Sequence, residues 1–123
     1  MTFCTRDRKV IAHLSDVHRA FCEYSEKARD RYIAVGRYVI MPDHVHLFVQ
    51  GHNEFNLSSW IGGLKRALSV AVRPDDGRPR WQPGFFDHLL RSDESYDEKW
   101  QYVRENPVRA GLVSIADNWP HQR

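Results

Sequence analysis

The stretch "MPDHVHLFVQ", residues 41–50, decides the fold. Val45, Leu47 and Val49 alternate with His44 and His46. Period-two alternation predicts a strand with one apolar face, because successive strand side chains point to opposite sides. His44 and His46 then project together from the other face. Pro42-Asp43 suits a tight turn, with proline presetting its own dihedral. The β-rich run "RYIAVGRYVIM" (31–41) is therefore expected to pair with 44–50 as a hairpin.

Outward from this hairpin, residues 2–5 read as a short strand. Ser15 or Asp16 can cap a helix. Val17, Ala20, Phe21, Tyr24 and Ala28 then recur at helical spacing. "LSSWIGGLKRALSVAV" (57–72) predicts a second helix with an apolar face of Leu57, Trp60, Ile61, Leu64, Leu68 and Ala71. Gly62 and Gly63 each cost that helix about 1 kcal/mol relative to alanine. A kink, or a close approach by DNA or a partner helix, would explain them. "RPDDGRPR" (73–80) is a loop by composition. "GFFDHLLR" (84–91) reads as a short strand and "SDESYDEKWQYVREN" (92–106) as a last helix limited by Pro107. The order β-α-β-β-α-β-α predicts an α+β domain over residues 1–123. Its central antiparallel sheet carries packed helices, close to a ferredoxin-like arrangement.

Composition fits one globular core: 123 residues, 41% hydrophobic and 28% charged. No apolar run is long enough to span a bilayer. "MTFCTRDRKV" lacks an apolar signal core, so a cytoplasmic protein without a membrane partner is expected. Cys4 and Cys22 form no CxxC pair and are expected to be buried free thiols. A net charge of +2 does not by itself announce a nucleic-acid binder. Basic residues do gather at 6–9, 65–66, 73–80 and 104–109. Lys65, Arg66, Arg73 and Arg109 are candidate phosphate contacts. A solvated surface is the plain alternative.

Two adjacent imidazoles on a strand face can grip a metal, imidazole being its commonest ligand. They can equally be two half-exposed histidines on a polar face. The last helix bears on the choice. Tyr96, Trp100 and Val103 share a face at steps of four and three, and that face reads as core. Tyr102 lies about 200° round from Trp100, with Glu98 and Asn106 one turn away on either side. Taken alone, Tyr102 is a surface tyrosine and Asn106 a residue that ends a helix. Taken with the histidines, they complete a site for phosphoryl transfer. A tyrosine hydroxyl becomes a useful nucleophile against a phosphate held by a divalent cation.

"YVIMPDHVHLFV" (38–49) resembles the HUH segment of single-tyrosine transposases. "WQPGFFDHLLR" (81–91) and "YVRENPVRAGLV" (102–113) are similar to the REP-associated tyrosine transposase branch of that superfamily. The resemblance implies a ferredoxin-like HUH domain. It implies that His44, His46 and Asn106 bind Mg²⁺ or Mn²⁺, Asn106 standing where many relatives have Gln. It implies that Tyr102 cleaves single-stranded or hairpin DNA through a 5′-phosphotyrosyl intermediate and passes the strand on. A homodimer is among the assemblies it implies. A non-catalytic hairpin-binding module is the alternative, and a zinc hydrolase using His44 and His46 a third. Asp87 and His88 are candidate supports for the metal histidines. His52 is expected in a loop. Trp81 and Phe86 are expected in the core, with base stacking as their other use.

Overall fold

The computed structural model describes residues 1–72, 80–87 and 96–123. Three strands, β1 (Thr2–Cys4), β2 (Ala34–Met41) and β3 (His44–Gln50), form an antiparallel sheet in the order β1-β3-β2. The β2–β3 hairpin turns at Pro42-Asp43, with Met41 opposite His44 and Ile40 opposite Val45. The α+β architecture expected from the sequence is the one observed, and the pairing of β1 with β3 puts the histidine strand in the middle.

Residues 80–86 run antiparallel along the free edge of β1. Phe86 pairs with Thr2 and Trp81 with Thr5. Four residues, Thr2 to Thr5, thus face six on this segment. The surplus loops out at exposed Pro83-Gly84, with Gly84 at φ +76°. Proline lacks the N–H that a ladder needs, and only glycine accepts that φ without strain. Of the strand expected over 84–91, the described residues therefore show one isolated bridge, at Phe86, with a second at Trp81 before it, and residues 88–91 lie outside them. The edge order (80–86)-β1-β3-β2 is still that of a ferredoxin-like sheet. On the far side, the C-terminal residues 121–123 pair with β2 through Tyr38, Val39 and Ile40.

Helices α1 (Leu14–Ala28) and α2 (Leu57–Ser69) cover one sheet face. Phe3, Tyr38, Ile40, Val45 and Leu47 meet Val17, Phe21, Ile61, Leu64 and Leu68 there in one buried cluster. α2 starts as its sequence directs: the Asn56 side chain accepts from Ser59 N at 3.0 Å. α1 starts one residue before Ser15, after His13, without a side-chain cap. Gly63 answers the glycine question. The Tyr24 hydroxyl occupies the space its Cβ would take, and it donates to Trp60 O at 3.1 Å. The close neighbour is a partner helix. Among the described residues no helix is long and apolar enough to cross a membrane. Both cysteines are free thiols, Cys4 buried and Cys22 half-buried.

The opposite face is covered by α3 (Tyr96–Arg104), α4 (Asn106–Arg109) and the C-terminal segment. Here Val39, Met41 and buried Trp100 form a second cluster with Phe48, Val103 and Trp119. Tyr96 departs from the expected core position. β2 carries an extra residue between Val35 and Tyr38, and the Arg37 N–H exposed by this bulge donates to the Tyr96 hydroxyl at 2.9 Å. Any Cβ on Gly36 would meet that hydroxyl. The start of α3 is thus pinned to β2 by a polar contact and its middle by Trp100.

Candidate active site

Strand alternation carries the site. His44 and His46 lie on the α3 side of the sheet, opposite Val45 and Leu47. Register puts Thr2 and Val39 on either side of His46, and Cys4 and Met41 on either side of His44. The two imidazoles sit edge to face with centroids 4.7 Å apart.

Each ring is held by one nitrogen. His44 Nδ1 is 2.6 Å from Asp43 Oδ1, and His46 Nδ1 is 2.6 Å from Thr2 Oγ1. Asp43 in turn accepts from Arg8 Nε at 2.9 Å. Among the described residues nothing hydrogen-bonds the Nε2 of either ring. Burial would raise the Asp43 carboxyl, but hydrogen bonds from His44 and Arg8 outweigh it and hold the group below its ordinary range. Burial, then the neighbouring His44, the α-amino group, Arg109 and Arg8, push His46 down to about 3. His46 is therefore a neutral imidazole at pH 7, the protonation state that ligates metals. Among the described residues no three His, Cys, Asp or Glu side chains converge on one point. The two imidazoles are brought together as nitrogen donors of the kind a divalent cation takes.

Tyr102 is exposed, two residues from buried Trp100. α3 ends at Arg104, and Pro107 sits in the first turn of α4, where its missing N–H costs nothing. Asn106 thus opens a new turn rather than closing the old one. Arg109, one turn further on, closes back over the site. Its guanidinium stacks on the Tyr102 ring at 4.3 Å, and its Nη2 donates to Tyr102 O at 2.8 Å and Asn106 Oδ1 at 2.6 Å. Amide oxygen has two lone pairs, so Asn106 keeps one beyond Arg109. Arg109 also acts on His46, so the tyrosine turn and the histidine strand lie within electrostatic range.

The other candidates fall elsewhere. Lys65 Nζ donates to Gln82 O at 2.9 Å and Gly84 O at 2.5 Å, tying α2 to the bridging segment. Burial lowers its pKa. Arg66 is exposed, its guanidinium lying along Gly62 and Gly63. Arg73 and His88 lie outside the described residues. Asp87 is exposed, and the carboxylate against His44 is Asp43 instead. His52 is in a loop, accepting from Glu54 N. Trp81 is core: its indole packs on Phe3 and donates to Lys65 O and Ser69 Oγ. Phe86 is 70% exposed, against the core position expected for it, because its edge bridge turns the side chain outward. Thr2, Arg8 and Asp43 escaped the sequence reading. Asp43 was detectable as the acid next to His44, whereas Thr2 and Arg8 needed the β1–β3 register.

Residues 1–106 match the family model described as Transposase IS200 like. The chain belongs to the IS200-like transposase family. It is 30% identical over 95 residues to a REP-associated tyrosine transposase of Escherichia coli, covering 75% of this chain. A Haemophilus influenzae protein provisionally given the same name is 33% identical over 94 residues, covering 67% of this chain. The chain spans about half the length of these relatives, 54% and 53%. A solved structure of a REP-associated tyrosine transposase bound to a REP hairpin superposes with a TM-score of 0.78 at 25% identity. That match covers 98% of this chain and 72% of the other.

Proposed function

We propose that this chain is a metal-dependent single-strand DNA endonuclease and strand transferase acting beside hairpin-forming palindromes. One observation carries the reading: two adjacent imidazoles, each fixed through Nδ1, lie on the sheet face that α3 covers, and α3 carries the exposed Tyr102. His44, His46 and Asn106 would hold Mg²⁺ or Mn²⁺. When bound, the cation neutralises charge on the scissile phosphate and orients it for in-line attack. Tyr102 Oη forms a bond to phosphorus as the bond to the 3′ oxygen breaks. The tyrosine proton passes through solvent to the leaving oxygen, giving a 5′-phosphotyrosyl protein and a free 3′-OH. A second 3′-OH reverses the step, so no nucleotide cofactor is consumed. Arg109, stacked on Tyr102 and bonded to Asn106, fixes the nucleophile's turn and adds positive charge for DNA. The hairpin in the related structure supports hairpin DNA as partner here. Action on DNA would fit a cytoplasmic location.

The test is a denaturing gel of protein with 3′-labelled hairpin DNA and Mn²⁺ or Mg²⁺. Label should migrate with the wild type and not with Tyr102→Phe or His44→Ala. No adduct with any hairpin DNA, with metal-independent hairpin binding retained, would replace this reading by a binding module. Mixing the two variants also tests a homodimer. Recovered adduct means that one copy's Tyr102 serves another copy's histidines.

A further inference from the structure

The loop between β1 and α1 has an unusual backbone. Asp7 and Arg8 both sit at φ 55°, in the left-handed region that non-glycine residues avoid. Consecutive residues of this kind persist only where surrounding contacts over-determine them, and they gather at functional sites. The contacts that hold this loop converge on the hairpin tip. Thr5 N donates to Asp43 O at 2.9 Å and Ile11 N to Pro42 O at 2.7 Å. The Thr5 hydroxyl, buried under the loop, donates to Lys9 O at 2.8 Å. Arg8 is thereby aimed back at the tip, its Nε 2.9 Å from Asp43 Oδ2 and its Nη1 3.5 Å from Cys4 Sγ. The other carboxylate oxygen of Asp43 faces His44 Nδ1 at 2.6 Å.

We propose that Arg8 and Asp43 are positioning residues for His44, and that the left-handed 7–8 turn exists to set them. A carboxylate can only accept, so the His44 nitrogen against it must carry the proton. The lone pair then lies on Nε2, the nitrogen that no described residue engages. Arg8 occupies the second carboxylate oxygen, which stops Asp43 from rotating away. The chain Arg8–Asp43–His44 fixes both the tautomer and the ring direction, as carboxylate partners do for metal-ligating histidines in general. Its metal-affinity consequence rests on the metal reading above; the tautomer itself does not.

Two measurements separate these. Long-range ¹H–¹⁵N spectra of the metal-free protein at pH 8 read the tautomer of His44 directly. Wild type should show the Nδ1–H form. Asp43→Ala should shift toward Nε2–H, and Arg8→Ala should give a mixture that Arg8→Lys partly restores. Mn²⁺ titration followed by electron paramagnetic resonance should then show affinity weakened about ten- to a hundredfold in Asp43→Ala. Arg8→Ala should weaken it less, again with partial recovery by lysine. A folded Asp43→Ala that keeps the Nδ1–H tautomer overturns the proposal. So does Arg8→Ala with wild-type tautomer and wild-type Mn²⁺ affinity. If Asp43→Ala does not fold, the more exposed Arg8 carries the test. Expected tautomer shifts in a protein that binds no Mn²⁺ would uphold the positioning role and remove the metal reading.

Discussion

The two faces of the sheet solve opposite problems. On the α1/α2 face, the apolar side chains of Phe3, Ile40, Val45 and Leu47 are sealed by those of Val17, Phe21, Leu64 and Leu68, and the Tyr38 hydroxyl there is bonded to His18. On the α3/α4 face, the same strands present Thr2, Cys4, His44 and His46 beside a small cluster of Val39, Met41 and Trp100. The first face supplies apolar burial, the dominant favourable term in folding. The second keeps imidazoles half-covered and held by partners, a tolerable arrangement because each ring has a hydrogen bond through Nδ1. Period-two alternation lets one strand do both, so stability and chemistry should separate residue by residue along β3.

Adjacent residues test that separation. His46→Ala should cut phosphotyrosyl adduct formation by roughly 10³-fold or more, since half of the imidazole pair is gone. Its urea midpoint should stay near wild type. Leu47→Ala should do the reverse. Loss of a fully buried leucine costs about 2–5 kcal/mol, while adduct formation persists wherever the variant is folded. Equal destabilisation by both would show that the second face is core as well, and the division of labour would fall.

A finer test lies within the first face, at the two glycines of α2. A Cβ at Gly63 would collide with the Tyr24 hydroxyl, whereas at Gly62 it meets only the end of Arg66 at 3.5 Å. Gly63→Ala should therefore cost about 1–3 kcal/mol by overpacking. Gly62→Ala should gain up to about 1 kcal/mol from helix propensity. Chemical denaturation of the pair checks both signs. Equal effects would mean that α1 and α2 pack more loosely than the Tyr24 contact indicates.

The hairpin, both long helices and the shared face of His44 and His46 were legible because each rests on local periodicity. Tyr102 was legible as the exposed side of α3, whereas Asn106, expected on the same helical face, opens α4 instead. The sequence could not show that Pro107 starts a turn rather than ending the site's helix. That depends on where the chain goes next, and Gly111 at φ +74° lies just beyond α4. Nor could it show that Arg109 would fold back onto Tyr102, or that Lys65 would spend its charge on two carbonyls. Both are choices between solvent and a partner far along the chain or across a gap. Tyr96 misled for a related reason: helical spacing marks a face, and only the β2 bulge decides that the face needs a hydroxyl there.

The smallest expected effect lies where the C-terminal segment closes the sheet edge. His18 on α1 meets His121 through their Nδ1 atoms at 3.4 Å, and His18 Nε2 lies 2.7 Å from the Tyr38 hydroxyl. Burial lowers the pKa of His18. Burial and the neighbouring His18 lower that of His121. Cys22 and Arg123 act on the same Tyr38 hydroxyl. A histidine whose folded pKa lies below its unfolded value of 6.5 binds fewer protons when folded. Its stabilising contribution is therefore present above pH 6.5 and is lost as pH falls toward the folded pKa. Both rings keep solvent contact, so each should contribute well under the limit of about 1.4 kcal/mol per pH unit. Urea unfolding at pH 7.5, 6.5 and 5.5 should show stability declining with acidity. The decline should be shallower in His18→Gln/His121→Gln, with His46 responsible for part of what remains. An unchanged slope in the double variant would mean that this edge carries no protonation linkage. The acid sensitivity would then belong to the histidine strand, on the opposite face of the sheet.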